Sequence, residues 1–288
     1  MSDNFWLVLA VVLYFGVMVA IGIYSWRKTT KYDDYVLGDR GLHPLVAGLS
    51  AGASDMSGWL LMGLPGALYL GGMVELWMAI GLTVGAWLNW KFVAPRLRTY
   101  SEVAGNAITI PSFLSNRLHD SRHLMRIAAG IVTLVFFTFY VSSGMVAGGR
   151  FFVKSFDMDY HIGMLIVAGS VLLYTLVGGF LAVAWTDTVQ GLMMVAALVC
   201  VPLFGLIQLG GFGPLLDTIR EIDPDTFALW GASTTVMGVV SSLAWGLGYF
   251  GQPHIIVRFM ALRKPSDARQ GRFYGVTWMG LSVIGAIF

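Results

Sequence analysis

Apolar residues in this chain come in runs of about twenty, without the strict alternation of a sheet strand or the one-sided stripe of a surface helix, and polar residues gather in the gaps. A run of that length crosses the roughly 30 Å hydrocarbon core of a bilayer as a helix. The pattern predicts eight spans, near 5–26, 45–69, 72–93, 127–149, 161–180, 187–209, 232–256 and 274–288, the last one cut short, so that the chain looks truncated at Phe288. An all-α integral membrane protein follows, since helices satisfy their own backbone in lipid. The first span does not read as a signal peptide. Nothing basic precedes it, its apolar stretch is too long, and Arg27 and Lys28 come after it.

Charge then orients the spans. Of the 18 Lys and Arg, 15 fall in alternate gaps: Arg27, Lys28, Lys31 and Arg40, then Lys91 to Arg126, then Arg258 to Arg272. The other side carries Glu75, Asp157, Asp159, Asp217, Glu221, Asp223 and Asp225. The positive-inside rule sets the N-terminus outside and makes the basic gaps cytoplasmic. Composition adds little beyond this: 57% hydrophobic and 12% charged residues, with a net charge of +2, leave no basic patch for nucleic acid. The single cysteine, Cys200, reads as a small packing residue.

Two spans depart from regular helix. Asp55 is the only charge between Leu45 and Tyr69, and a carboxylate at mid-span costs about 2.5–3.5 kcal/mol on insertion scales. Small residues and hydroxyls surround it in Ser50-Ala51-Gly52-Ala53-Ser54-Asp55-Met56-Ser57-Gly58, and Gly63, Pro65 and Gly66 follow. Such a segment can unwind in its middle and bare backbone carbonyls beside a carboxylate, which suits a small cation and a polar solute. The seventh span holds Gly246, Gly248, Gly251 and Pro253 within eight residues, a second predicted break. Its G-x-G-x-x-G string lacks the strand and βαβ unit of a dinucleotide site, and that reading is rejected.

The charge pattern makes the second and seventh spans run in opposite directions. Interrupted helices in corresponding places of antiparallel halves point to a secondary transporter with inverted repeats. One repeat would run over 44–210 and a second would begin at 230, after an extra helix and loop over 1–43. Half-helix N-termini would face an anionic group of the solute, and freed carbonyls a monovalent cation. Tyr140 at mid-depth in the fourth span, with Trp245 and Tyr249 in the seventh, would offer aromatic faces to a compact solute.

The stretches SAGASDMSGWLLMGLPGALYL at 50–70, LVGGFLAVAWTDTVQ at 176–190 and WGLGYFGQPHIIVRFMA at 245–261, with DDYVLGDR at 33–40, resemble the solute:sodium symporter family, and within it the branch that carries proline. The likeness spans essentially the whole chain. It implies a LeuT-like core of five plus five helices after one extra helix, and Na⁺-coupled uptake of L-proline across the bacterial cytoplasmic membrane. It also implies a cation site from the carbonyls of Ala53 and Met56 with Asp55 nearby, and a solute pocket of Ser57, Gly58, Tyr140, Trp245, Tyr249 and Pro253. Arg40 and Asp187 resemble positions tied to the inner gate and the ion path. The family's remaining hydroxyl ligands for Na⁺ would lie beyond Phe288.

Plainer readings stand beside these. Asp55 could serve as a hydrogen-bonded packing acid, Asp187 as the cap of the sixth span, Arg40 as an interfacial anchor, and Gly144-Met-Val-Ala-Gly148 as a close helix contact. The five histidines show no metal-ligand spacing, and no enzyme constellation is present. On the residues alone, proton coupling, another small amino acid or carboxylate as solute, and a transporter-like membrane sensor all remain open.

Overall fold

A computed structural model describes residues 3–222, 224–231 and 234–288. Asp223 of the predicted acidic loop, and residues 232 and 233 at the start of the predicted seventh span, lie outside the described residues. The helices are α1 Asp3–Lys28, α2 Tyr32–Leu37, α3 Pro44–Gly58, α4 Leu64–Gly71, α5 Leu76–Leu88, α6 Ala94–Val103, α7 Ile110–Arg117, α8 Leu124–Phe156, α9 Tyr160–Gln208, α10 Phe212–Ile222, α11 Val236–Ala244, α12 Pro253–Met260 and α13 Asp267–Ile287. Wide π turns at Trp59–Gly63 and Asn89–Val93 and a tight 3-10 stretch at Trp245–Phe250 join some of them.

Four continuous helical stretches among the described residues are long and apolar enough to cross a membrane: Phe5–Lys28, Pro44–Val103, Leu124–Phe156 and Tyr160–Gln208. Two of these are too long for a single crossing. At 1.5 Å per residue the 60-residue stretch would reach about 90 Å, three times the hydrocarbon core. It is divided at Gly72, with φ 71° and ψ −166°, and the 49-residue stretch is divided at Gly179, with φ 59° and ψ −152°. Neither conformation suits an L side chain, and a Cβ would meet the Thr226 carbonyl oxygen at 2.9 Å from Gly72 or that of Tyr35 at 2.6 Å from Gly179. The paired spans expected at 45–69 with 72–93, and at 161–180 with 187–209, are therefore each joined with almost no loop.

One expectation changes with this. The sixth span was expected to start near 187 with Asp187 as its cap. Helix instead resumes directly after Gly179, and Asp187 lies two turns inside it. The last span also starts earlier, at Asp267.

The chain forms two compact units. One comprises 1–42 with 99–186. In it Gly22 of α1 lies against Tyr174 of α9, and the Tyr35 hydroxyl donates to the carbonyls of Thr175 (3.3 Å) and Leu176 (3.2 Å). Gly148 of α8 packs on Val167, whereas Gly144 faces open space, so only one end of the G-x-x-x-G makes the expected contact. Much of α1 and α8 is exposed apolar surface, as lipid-facing helices require.

The other unit comprises 43–98 with 187–288. In it α3 packs on α13 and α12, and α5 packs on α11 and on the 3-10 stretch. Gly85 and Gly246 meet backbone to backbone, which brings the second predicted break directly onto α5. Cys200, expected as a small packing residue, is exposed.

Candidate functional site

The site grows from the break in α3. Helix runs from Pro44, with His43 capping the Leu45 N–H, until Ser57 takes φ 36° and ψ −139°. Gly58 then returns to helical angles and the π turn follows. A non-glycine residue at positive φ costs on the order of 1–3 kcal/mol and is kept where surrounding structure imposes it. Here the strain falls two residues past Asp55. The Met56 carbonyl accepts a tightened bond from the Trp59 N–H beside the break.

Asp55 is 10% exposed. Its Oδ2 accepts a short hydrogen bond from the Tyr249 hydroxyl, and the Gln252 side chain is a further hydrogen-bonding partner. His254 Nε2 stands 3.9 Å from Oδ1. Tyr249, Gln252 and His254 belong to the second interrupted segment, so the two breaks meet at one carboxylate. Tyr249 is fixed in turn by Asn89, whose Nδ2 donates to the Tyr249 carbonyl at 2.7 Å. The Gln252 Oε1 is buried without a protein partner among the described residues. An oxygen left open next to a carboxylate and a strained carbonyl-bearing turn is a donor set suited to a hard cation.

A few residues toward the N-terminus of α3, Ser50 Oγ donates to Asp187 Oδ2 at 2.8 Å and accepts from Arg258 Nε at 2.5 Å. Arg258 Nη2 reaches Asp187 Oδ2 at 2.5 Å, and its Nη1 bonds the His254 carbonyl. Arg258 is 3% exposed. This buried pair ties α3, α9 and α12 together through polar groups that satisfy one another. It also corrects two expectations: Asp187 is an ion-pair partner and not a cap, and Arg258 is an interior residue of α12 and not a cytoplasmic loop charge. Arg98, also buried, bonds the carbonyls of Leu262 and Arg263, so it too leaves the loop tally.

The other sequence candidates separate. Ala53 and Met56 are buried on α3, Ser57 is exposed at the break, and Gly58 and Pro253 are half-buried. Tyr249 is buried and its hydroxyl is directed at Asp55, while Trp245 is 55% exposed on the same 3-10 stretch. Tyr140, on α8, and Arg40 belong to the other unit. Arg40 there bonds Ser101 Oγ at 2.8 Å, Asn106 Oδ1 at 3.1 Å and the Ala107 carbonyl at 3.0 Å, more contacts than an interfacial anchor needs. Sequence reasoning missed Gln252, His254, Ser50 and Arg258 as partners. The one available signal was chemical: each buried carboxylate requires donors, and Gln252, His254 and Arg258 are the polar residues of the span facing it.

Residues 35–288 match the sodium:solute symporter family. The chain is 56% identical over 270 residues to the high-affinity proline transporter PutP of Bacillus subtilis, covering 94% of this chain and 57% of that protein. It is 49% identical to the osmoregulated proline transporter OpuE of the same organism, and 48% identical to the sodium/proline symporter of Escherichia coli, over 57% and 55% of their lengths. The chain thus spans somewhat more than half of these relatives. In three dimensions it resembles a Na⁺-coupled sialic acid symporter solved in a substrate-bound outward-open state, with a TM-score of 0.82 over all of this chain and 61% of that one, at 17% identity. That likeness extends to the fold, a multi-pass membrane architecture of helices with interruptions. Residue match and architecture agree, and the chain belongs to the sodium:solute symporter family.

Proposed function

We propose that the protein of which this chain is part couples the inward movement of Na⁺ to the uptake of L-proline. The observation that carries the reading is the single carboxylate, Asp55, gripped by Tyr249 and set two residues before the strained turn at Ser57, where two interrupted helices meet. The relatives named as proline transporters supply the solute. Na⁺ would take the carbonyls of Ala53 and Met56 with Asp55, and the open Gln252 Oε1 adds an oxygen nearby. Proline would lie against Ser57, Gly58, Trp245, Tyr249 and Pro253; Tyr140, the remaining solute-pocket residue that the family resemblance implies, belongs to the other unit. Arg40 and Asp187 would act at the inner gate and along the ion path.

The chain would sit in the cytoplasmic membrane of a bacterium with its N-terminus outside, with 44–210 as one repeat and a second beginning at 230. The energetics suffice for accumulation. One positive charge moving inward at about 100 mV supplies roughly 2.3 kcal/mol, and a tenfold Na⁺ gradient adds about 1.4 kcal/mol, together enough for a solute gradient of several hundredfold. Coupling requires Na⁺ to order the same turn that binds the solute, so that proline meets a preformed pocket.

Radiolabelled L-proline uptake into proteoliposomes holding the intact protein tests this. Accumulation driven by a Na⁺ gradient, and absent with K⁺ or a pH gradient alone, is the expected result. Binding without accumulation would favour the sensor reading, and accumulation driven by a pH gradient would favour proton coupling. Asp55→Asn should raise the Na⁺ concentration for half-activation by tenfold or more, given about 1.5–3 kcal/mol for bonds to a charged group. An unaltered Na⁺ activation curve would count against the cation role.

A further inference from the structure

The π turn after α5 and the start of α13 come together at one end of the second unit. Arg98 fastens the carbonyls just before α13, with Nη2 3.0 Å from the Arg263 oxygen, and the Trp90 ring lies so close to Gly271 that a Cβ there would stand 2.5 Å from it. Beside this contact lies an open groove of about 640 Å³. Trp87 forms part of its wall, and two cations stack on that one ring: Lys91 Nζ at 4.5 Å and the Arg272 guanidinium at 5.4 Å from the centroid. Arg269 lines the same groove, and Arg96 lies over the neighbouring Phe92.

None of the groove-lining residues is acidic. Among the described residues none of these four cations has a carboxylate within ion-pair reach, and the neighbouring Asp267 is already used by Arg263 at 3.0 Å. Uncompensated guanidinium groups repel one another unless an anion joins them. Here they stand beside half-exposed Trp87 and Phe92 and a well-exposed Phe273, at the ends of apolar helices, which is the depth at which aromatic side chains meet headgroups.

We propose that this groove binds the headgroup of an anionic phospholipid, its phosphate held by Arg269 and Arg272 and its glycerol and upper acyl region lying against Trp87 and Phe273. Free phosphate would satisfy the charge and leave the aromatic wall unused, so the lipid is the better match. α13 also packs against Gly48, where a Cβ would stand 2.6 Å from the Gly271 carbonyl oxygen. A lipid in the groove therefore bears on the helix that carries Asp55. The binding proposal itself does not depend on what the protein transports.

Native mass spectrometry of the intact protein, titrated with phosphatidylglycerol or with phosphatidylcholine of the same acyl chains, is the test. Phosphatidylglycerol adducts should be retained roughly fivefold more, and the Arg269→Gln, Arg272→Gln double variant should lose that preference while Lys154→Gln keeps it. Equal retention of both lipids, or displacement of phosphatidylglycerol by inorganic phosphate alone, would overturn the proposal. A second readout tolerates poor folding of the double variant: tryptophan quenching by brominated phosphatidylglycerol should fall in Trp87→Phe, and an unchanged quenched fraction would also overturn it.

Discussion

Arg258 is the hub of the buried polar cluster on α3, α9 and α12. It joins Asp187, Ser50 and the His254 carbonyl, and removing one member of a buried pair costs about 3–5 kcal/mol because the other charge is left without a partner. Arg258→Met should therefore lower the thermal midpoint of the detergent-solubilised protein sharply. Adding Asp187→Leu should recover most of the loss, and a double variant no better than the single one would show that the pair does not act as a unit. Asp55 was legible from sequence because it is alone among apolar residues. The partners of the two buried acids were not, because a histidine three residues or an arginine seven residues past the last glycine of a break reads equally well as a loop charge. Only the packing of α12 on α3 turns Arg258 inward. A quite different acid, Asp34, lies outside the membrane spans, partly exposed, and accepts from the N–H groups of Thr30 and Lys31 and the Thr30 hydroxyl, bonds that hold its carboxyl below the ordinary value of 3.8. A depressed value means that its hold on the start of α2 is present at neutral pH and is lost as pH falls through that lowered value. The protection of the Thr30 and Lys31 amides, taken relative to their intrinsic exchange rates, should fall only below about pH 4.

Elements were legible where glycine and proline broke a long apolar run, and less so where geometry alone decides. The break in α3 could be placed within a few residues, since small residues and hydroxyls cluster around Asp55, but that it falls on Ser57 itself follows from the backbone. Ser57→Gly should relieve the positive φ and raise unfolding stability by about 1 kcal/mol, read from a denaturant midpoint, while loosening the turn. The glycines from 246 to 251 do not unwind into a loop. They form a 3-10 stretch that presents Gly246 to Gly85, a close approach that no sequence period announces. The limits of the sixth span were misread for a related reason. The sequence from Leu181 to Thr186 looks like an interfacial gap, yet it is continuous helix, because Gly179 alone provides the change of direction that a loop would otherwise supply.

At the scale of the molecule the alternation of basic and acidic gaps carries the expected orientation, and its sign is unchanged when Arg98 and Arg258 leave the tally. It yields a direct expectation. With Cys200 replaced by Ser to remove the exposed native thiol, Asp159→Cys should react with a membrane-impermeant maleimide on intact cells, and Arg122→Cys only after permeabilisation. The reverse pattern would invert the assigned topology. Which helices share a compact unit was not legible at all. The units draw 1–42 together with 99–186, and 43–98 with 187–288, so they interleave the sequence where a repeat would run along it. Hydrophobic periodicity says that each helix needs a neighbour but not which one; that choice rests on contacts such as Gly48 on Gly271 and Gly22 on Tyr174.

The single-glycine junctions at 72 and 179 also govern what can be added to the chain. Where one crossing ends and the next begins on adjoining residues there is no slack to absorb a tag, a fluorophore-bearing loop or a protease site, whereas the Gly210-Gly211 turn is exposed and has open space around Gly211. Reporter insertions meant to follow this protein at work belong at that turn, and their failure at Gly72 or Gly179 would be a property of the architecture and not of the reporter.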